Sequence, residues 1–350
     1  MSENALTTTR QTGAIAVAGQ VANHYAASNS FNDYTSRKSD NTLRAQRGDL
    51  ATWSKYLCDA TNGADCPDAE TLQTDPAAWA DVTWGLVAGF VKWMLAQGYA
   101  VGTVNRHLAT VRTYCKLAAK AGTIQPTEAA LIRTVQGYGG KEGKHEDERR
   151  AVTRKGYKKA AHVAITPEQA KALKMQPDTP QGRRDALLMC LLLDHGLRVG
   201  ELVLLQVSDF DLKAGTFTFY RPKVDKVQTH RLTPDAARAI AAWFATDAPA
   251  IGALLRGSRK GGKLTDAGMS ERAVTERVRV LGEAAGIGVD KDGKRMPGLS
   301  AHDCRHYWAT RAASQGTDPF ALRDAGGWSS LAMPSRYVEA AAIANERVKL

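Results

Sequence analysis

Residues 302–337 read HDCRHYWATRAASQGTDPFALRDAGGWSSLAMPSRY, and this stretch decides how the second half of the chain is built. His302 and Arg305 stand three apart, so they share a face if 302–314 is helical. A second helix is expected over 319–325, and Gly326-Gly327 end it just before Trp328. A last helix around 333–347 carries Tyr337. Taken one at a time, these features read as structure. A His-x-x-Arg pair is most often solvated, a tryptophan after two glycines usually packs into a core, and so does a tyrosine on an amphipathic helix.

Upstream, Gly196-Leu197-Arg198-Val199-Gly200-Glu201-Leu202 sets Arg198 and Glu201 three apart, which alone reads as a surface ion pair. Between the two stretches, 210–222 reads as strand, turn at Lys213-Ala214-Gly215, and strand. Residues 216–220 alternate with period two. Lys223 and Lys226 lie on the following turn, and 227–232 is a returning strand. Everything else in this half is expected to be helical: 183–196, 197–205, 234–244 and 270–285. Its entry is Thr166-Pro167-Glu168-Gln169, an N-cap, a proline at the first helical position and a capping box.

The first half reads as all-α. Asp40-Asn41-Thr42 is an N-cap signal, and Leu43, Leu50, Trp53 and Leu57 follow at helical spacing. Helices are expected over 79–97, from Thr103 onward, and over 127–135. Residues 1–40 are polar, rich in Ser, Thr, Asn and Ala, and are expected to be a disordered tail. Residues 137–162 are glycine-rich, then charged, and read as a basic linker. The expected division is therefore a tail at 1–40, a helical domain at 41–138, a linker at 139–162 and a second domain at 163–350.

Lys and Arg number 47 against 36 Asp and Glu, a net charge of +11. That excess favours a polyanionic partner, because cations placed on phosphates release condensed counterions. The five cysteines are irregularly spaced and form no CxxC pair, which argues against a structural zinc site or a disulfide framework and for a reducing cytoplasm. No secretory signal and no membrane-length apolar run is present.

In chain order, an arginine, a hairpin lysine, His-x-x-Arg, Gly-Gly-Trp and a late tyrosine resemble the tyrosine recombinase, or phage integrase, family. The resemblance spans about residues 40–350. It is strong in the second domain, and in the first rests on Thr103-Val104-Asn105-Arg106-His107-Leu108, similar to a family DNA-binding helix. It implies a mainly α protein: an N-terminal helical core-binding (SAM-like) domain plus a mixed α+β catalytic domain with a small antiparallel sheet, forming a C-shaped clamp on DNA. It assigns Tyr337 as nucleophile, Arg198 and Arg305 as the catalytic arginines, Glu201 as the first arginine's acidic partner and His302 as the histidine of the pair. Lys223 is the hairpin lysine, with Lys226 as the alternative. Trp328 takes the family's His-or-Trp position, where most members have His and Cre-type recombinases have Trp. An indole N–H donates a hydrogen bond but is not a base.

The implied chemistry is sound on its own terms. Two guanidiniums neutralise a phosphodiester with paired hydrogen bonds that lysine cannot match. A tyrosine with a free pKa near ~10 must lose its proton during attack. His302 is the expected acceptor or hydrogen-bond partner, and Lys223 the expected acid for the departing 5′-oxygen. The product is a 3′-phosphotyrosine ester, which a 5′-hydroxyl can reverse without metal or nucleotide cofactor.

The implied function is site-specific DNA recombination, whether integration, excision or resolution. Two other readings compete: relaxation of DNA by a type IB topoisomerase, and a non-catalytic sequence-specific DNA-binding protein. The expected partners are a double-stranded core recombination site, three further copies forming a homo-tetramer on two sites, and room for a directionality factor. No membrane is expected. The expected location is the cytoplasm, on the nucleoid of a prokaryotic host, with a phage or mobile element as a candidate source. DNA contacts are expected from Arg44, Arg47, Arg106, His107, Arg112 and Lys116 in the first domain, and from Arg272, Arg277 and Arg279 in the second.

Overall fold

A computed structural model describes residues 13–63, 65–152, 155, 162–288 and 296–341, without the side chains of 339–341. Two units divide the chain between Lys158 and Lys159.

The first unit is all-helical: α1 (Ala14–Ser28), α2 (Ser30–Thr35), α3 (Asp40–Ala60), α4 (Ala69–Thr74), α5 (Trp84–Ala96), α6 (Val101–Lys120), α7 (Pro126–Thr134) and α8 (Gly140–Arg149). Ser39 caps α3 by accepting from the Thr42 amide. From there the expected periodicity delivers Leu50 and Trp53 into the core, both fully buried. Trp53 stacks on Trp79 at 6.2 Å and meets Phe90 edge-on at 5.1 Å, so α3 and α5 join through aromatic rings. The helix expected over 79–97 is broken, because Asp81 adopts φ +61° and Thr83 caps a fresh helix by accepting from Leu86.

Two expectations fail in this unit. Residues 13–35 are helical, not a disordered tail. The alanines of α1 favour helix although none of its residues is buried. In α2, Phe31 is 4% exposed and packs on Tyr114 at 5.8 Å, and the Ser30 hydroxyl donates to the Leu117 carbonyl at 3.3 Å. Residues 1–12 lie outside the described residues. The linker expected over 139–162 begins as α8 instead, stitched by ion pairs one turn apart such as Lys144–Glu148. Arg150 then donates to the carbonyls of Leu95 at 2.9 Å and Tyr99 at 3.1 Å, pinning the end of this segment against the turn that follows α5. Much of the basic half of that segment, 153–154 and 156–161, lies outside the described residues.

The second unit runs α9 (Pro167–Lys174), α10 (Pro180–His195), α11 (Val199–Leu202), β1 (Phe210–Asp211), β2 (Thr216–Arg221), β3 (Lys226–Arg231), α12 (Pro234–Thr246), β4 (Arg256–Ser258), β5 (Leu264–Gly268), α13 (Glu271–Ala284), α14 (Ala301–Ser314), α15 (Pro319–Gly326) and α16 (Ala332–Ala341). It is mainly helical with small antiparallel sheets, as expected. Thr166 and Gln169 form the expected capping box. α10 threads the core with Leu187–Leu193 buried throughout. It ends at Gly196, whose φ of +61° favours glycine and whose Cβ would strike the Trp308 ring. The helix expected over 197–205 shrinks to the single turn of α11. Strands β1, β2 and β3 form one antiparallel meander, with Phe217 and Phe219 on its buried face. The β4–β5 hairpin lies where no strand was expected: it is short, irregular in register and without apolar alternation. Among the described residues no helix is long and apolar enough to cross a membrane.

Truncating Phe31 to alanine is expected to cost the first unit about 3 kcal/mol, read by urea denaturation, while Ile15→Ser, at a site 90% exposed, changes it by under about 0.5 kcal/mol. Equal, negligible effects would mean that the α2 docking seen here is not formed in solution.

Candidate active site

The site grows from a buried carboxylate. Arg198 directly precedes α11, and Glu201 on that turn is 3% exposed. Glu201 accepts from the Arg198 amide at 2.9 Å and from Arg198 Nη1 at 2.7 Å. Its two oxygens also accept from Arg221 Nη1 at 3.0 and 2.9 Å. Arg221 is fully buried at the end of β2, above the Phe219 ring, with Nη2 donating to the Ala325 carbonyl at 2.7 Å and Nε to Gln228. Burial lowers the Arg221 pKa, and Glu201 opposes the shift.

Arg305 lies on α14 and is 3% exposed. It donates to the Gly196 carbonyl at 2.5 Å and to the Gly326 carbonyl, and its guanidinium sits 4.6 Å from the Trp328 ring centre. Burial, then the nearby Arg198 cation, holds its pKa well below the ordinary guanidinium range. The Gly-Gly pair ahead of Trp328 is a steric requirement. A Cβ on Gly326 would strike the indole, and one on Gly327, whose φ is +58°, would come within 2.6 Å of Arg221 Cδ.

Tyr337 on α16 is 6% exposed, with its ring 5.8 Å from Trp328 and 5.4 Å from His306. Trp328 thus touches both the buried arginine and the tyrosine. The Tyr337 hydroxyl meets His306 Nδ1 at 3.2 Å, and His306 Nε2 meets His302 Nε2 at 3.1 Å. Burial raises the Tyr337 pKa and lowers that of His302. Burial and the His302 and His162 rings push His306 down to about 4.

Of the expected site residues, Arg198 and Glu201 are hydrogen-bonded to each other, and Arg305, Trp328 and Tyr337 are packed together. His302 joins through His306. Lys223 is exposed on the hairpin turn and Lys226 opens β3 opposite Arg221; neither belongs to the hydrogen-bonded cluster. Sequence reasoning missed two members. Arg221 continues the inward alternation of Phe217 and Phe219, and an arginine on an apolar strand face needs a buried partner. His306 follows His302 by one helical turn, so both fall on the face already assigned to Arg305's helix.

The expected DNA-contact residues divide. His107 is 4% exposed, its ring held by the Thr103 carbonyl at 2.9 Å and by Asp49 at 3.4 Å, so it faces the core rather than the surface. Arg106 is exposed but paired to Asp49 at 2.5 Å. Arg44 and Arg47 are exposed, with light bonds to Asn41 and Gln73. Arg112 and Lys116 line a groove between α6 and α7 with Arg133. In the second unit, Arg277 is tied to the fully buried Asp185 at 2.5 Å, Arg279 is clasped by Glu276 and Glu283, and Arg272 is exposed. Among the described residues, no group of three or more His, Cys, Asp or Glu is arranged to hold a metal.

Replacing Arg221 by glutamine is expected to destabilise the second unit by about 3 kcal/mol, since it strips a buried carboxylate of a cation. Chemical denaturation checks this; unchanged stability would refute the buried-anchor role.

The model of the phage integrase family matches residues 164–343, just over half the chain. Tyrosine recombinase XerC of Xanthomonas axonopodis pv. citri (strain 306) is 27% identical over 307 residues, covering 85% of this chain and 86% of that protein. Tyrosine recombinase XerD of Proteus mirabilis is 26% identical over 322 residues, covering 89% and 86%. Among solved structures, the Tn1549 transposon integrase in complex with transposon right end DNA aligns with TM-score 0.58 at 14% identity, covering 89% of this chain and 94% of that one. A lambda integrase dimer bound to a COC' core site aligns with TM-score 0.55 at 16% identity, covering 90% and 94%. With the second unit matched almost end to end, the chain belongs to the phage integrase family.

Proposed function

We propose that this chain is a site-specific DNA recombinase in which Tyr337 attacks a phosphodiester held by Arg198 and Arg305. The observation that carries the assignment is Trp328, which packs on both the Arg305 guanidinium and the Tyr337 ring, tying the tyrosine to a buried cation. A phosphodiester entering beside Arg305 gains charge-assisted hydrogen bonds that strengthen as negative charge builds on its free oxygens. Arg198, a quarter exposed and steered by Glu201, supplies the second fork. Attack by the Tyr337 oxygen forms the 3′-phosphotyrosine ester and expels the 5′-oxygen, which Lys223 protonates from the exposed hairpin turn. The ester conserves the bond energy, so a 5′-hydroxyl of another strand completes exchange.

Its relatives' names favour recombination over topoisomerase relaxation, and the buried arginine–tyrosine cluster favours an enzyme over a DNA-binding protein without chemistry. DNA is the substrate. The finer assignments rest on the family: a core site, a homo-tetramer on two such sites, an accessory directionality factor, phosphate contacts by the exposed basic residues, Trp328 as a packing and hydrogen-bonding group, and action at the nucleoid of a prokaryotic host.

On a nicked duplex carrying its recombination site, Tyr337→Phe should keep DNA binding and lose the covalent protein–DNA band on a denaturing gel. A band that persists removes Tyr337 as nucleophile. Arg198→Lys should slow cleavage by ~100-fold or more, since a point charge cannot replace the planar fork. A near-normal rate would leave Arg198 a structural partner of Glu201.

A further inference from the structure

Family logic assigns the tyrosine's proton to the histidine of the His-x-x-Arg pair, but that histidine is not the group that meets the tyrosine here. His306 stands between them. Its Nδ1 lies 3.2 Å from the Tyr337 hydroxyl and its Nε2 lies 3.1 Å from His302 Nε2. The ring is fixed on two further sides. His162 stacks on it at 4.5 Å with planes 1° apart, and Tyr337 meets it at 5.4 Å and 62°.

We propose that His306 is the catalytic base of this recombinase: it takes the Tyr337 proton directly and relays its own to His302.

With the phenol as donor, which attack by its oxygen requires, hydrogen-bond polarity sets this order. A phenol donating to Nδ1 requires that nitrogen to be bare, so neutral His306 carries its proton on Nε2. That proton points at His302 Nε2, which must then be bare, leaving His302 protonated at Nδ1. The chain runs one way, Tyr337 to His306 to His302. As the Tyr337 oxygen bonds to phosphorus, its proton moves to His306 Nδ1 and the Nε2 proton moves to His302 Nε2. The bond from phosphorus to the 5′-oxygen breaks with its electron pair, and that oxygen takes a proton from Lys223. His302 ends as an imidazolium, and rejoining runs the same transfers backward.

The surroundings suit His306 to passing a proton on rather than keeping it. It is partly buried, and the groups around it are His162, His302, Asp303 and Arg305. All but Asp303 disfavour a cation there, and its pKa of about 4 keeps it neutral at working pH. His302 is also lowered by burial, but Asp303 opposes that shift most strongly. A phosphodiester beside Arg198 and Arg305 would favour an imidazolium at His302 further.

This inference rests on Tyr337 being the nucleophile, so the experiment carries that control. Full-length protein is given the nicked duplex, and the rate of covalent-complex formation is followed. His306→Ala should cut the rate ~100-fold or more while DNA affinity is kept. Added imidazole should restore part of that rate, saturably and in proportion to its free base, by filling the space left beside Tyr337. His306→Asn, which preserves a polar side chain but cannot accept the proton, should show the same loss and guards against misfolding of the alanine variant. A near-normal rate in either variant overturns the proposal. So does a loss that imidazole leaves untouched in a folded, DNA-binding variant, which would make His306 only a packing partner. A covalent band from Tyr337→Phe would instead sink the nucleophile assignment, and is read separately.

Discussion

The second unit turns on one buried carboxylate. Removing Glu201 from water costs several kcal/mol, and only well-directed cations offset that cost. It receives four hydrogen bonds, two from Arg198 and two from Arg221. The constraint works in both directions. Arg198 is half-held, with one end of its fork on Glu201 and the rest of the side chain partly open to solvent. Arg221, fully buried, fastens the β2–β3 hairpin to the same carboxylate and to the Ala325 carbonyl at the end of α15. One acidic side chain therefore fixes the turn bearing the first arginine, the hairpin bearing the lysines and the helix end preceding Trp328.

Helix ends do the rest. Gly196 follows α10, and Ala325 and Gly326 finish α15. Their carbonyls belong to the set that no intrahelical amide reaches, and together they accept from Arg305 and Arg221. At Arg305, the partial negative charge of the Gly196 and Gly326 carbonyls steadies a buried guanidinium without discharging it as a full carboxylate would. A cation kept this way retains most of its attraction for an arriving phosphate. The positive φ values at Gly196 and Gly327 serve the same end, since they let each helix stop abruptly with its carbonyls turned to the arginine.

What the sequence made legible were the local rules. The Thr166 cap, the period-two run of β2 and the glycine pair before Trp328 carry their geometry in residue type, and the order of Arg198, His302, Arg305, Trp328 and Tyr337 carried the family resemblance. Long-range burial was not legible. The polar look of 13–40 hid Phe31, whose partner Tyr114 is far along the chain. The charged look of 140–150 hid Arg150, whose acceptors are the carbonyls of Leu95 and Tyr99. Arg221 was passed over because an arginine near a turn usually faces water, and His306 because its value lies in standing between two side chains from different helices.

The same distinction narrows what the net charge of +11 can mean. An arginine already holding a carboxylate brings less to a phosphate than its formal charge suggests. Arg279 pairs with exposed glutamates, and such solvent-screened pairs are weak, so exchange for phosphate is cheap. Arg277 differs, because Asp185 is fully buried and shared with the equally buried Arg184. Withdrawing Arg277 would leave that carboxylate undercompensated at a cost of several kcal/mol. Arg106 is likewise bound to a buried partner in Asp49. The cations most able to release counterions on a duplex are then those without such ties, Arg44, Lys116 and Arg272 among them. The salt dependence of DNA binding should follow that smaller number rather than the formal charge.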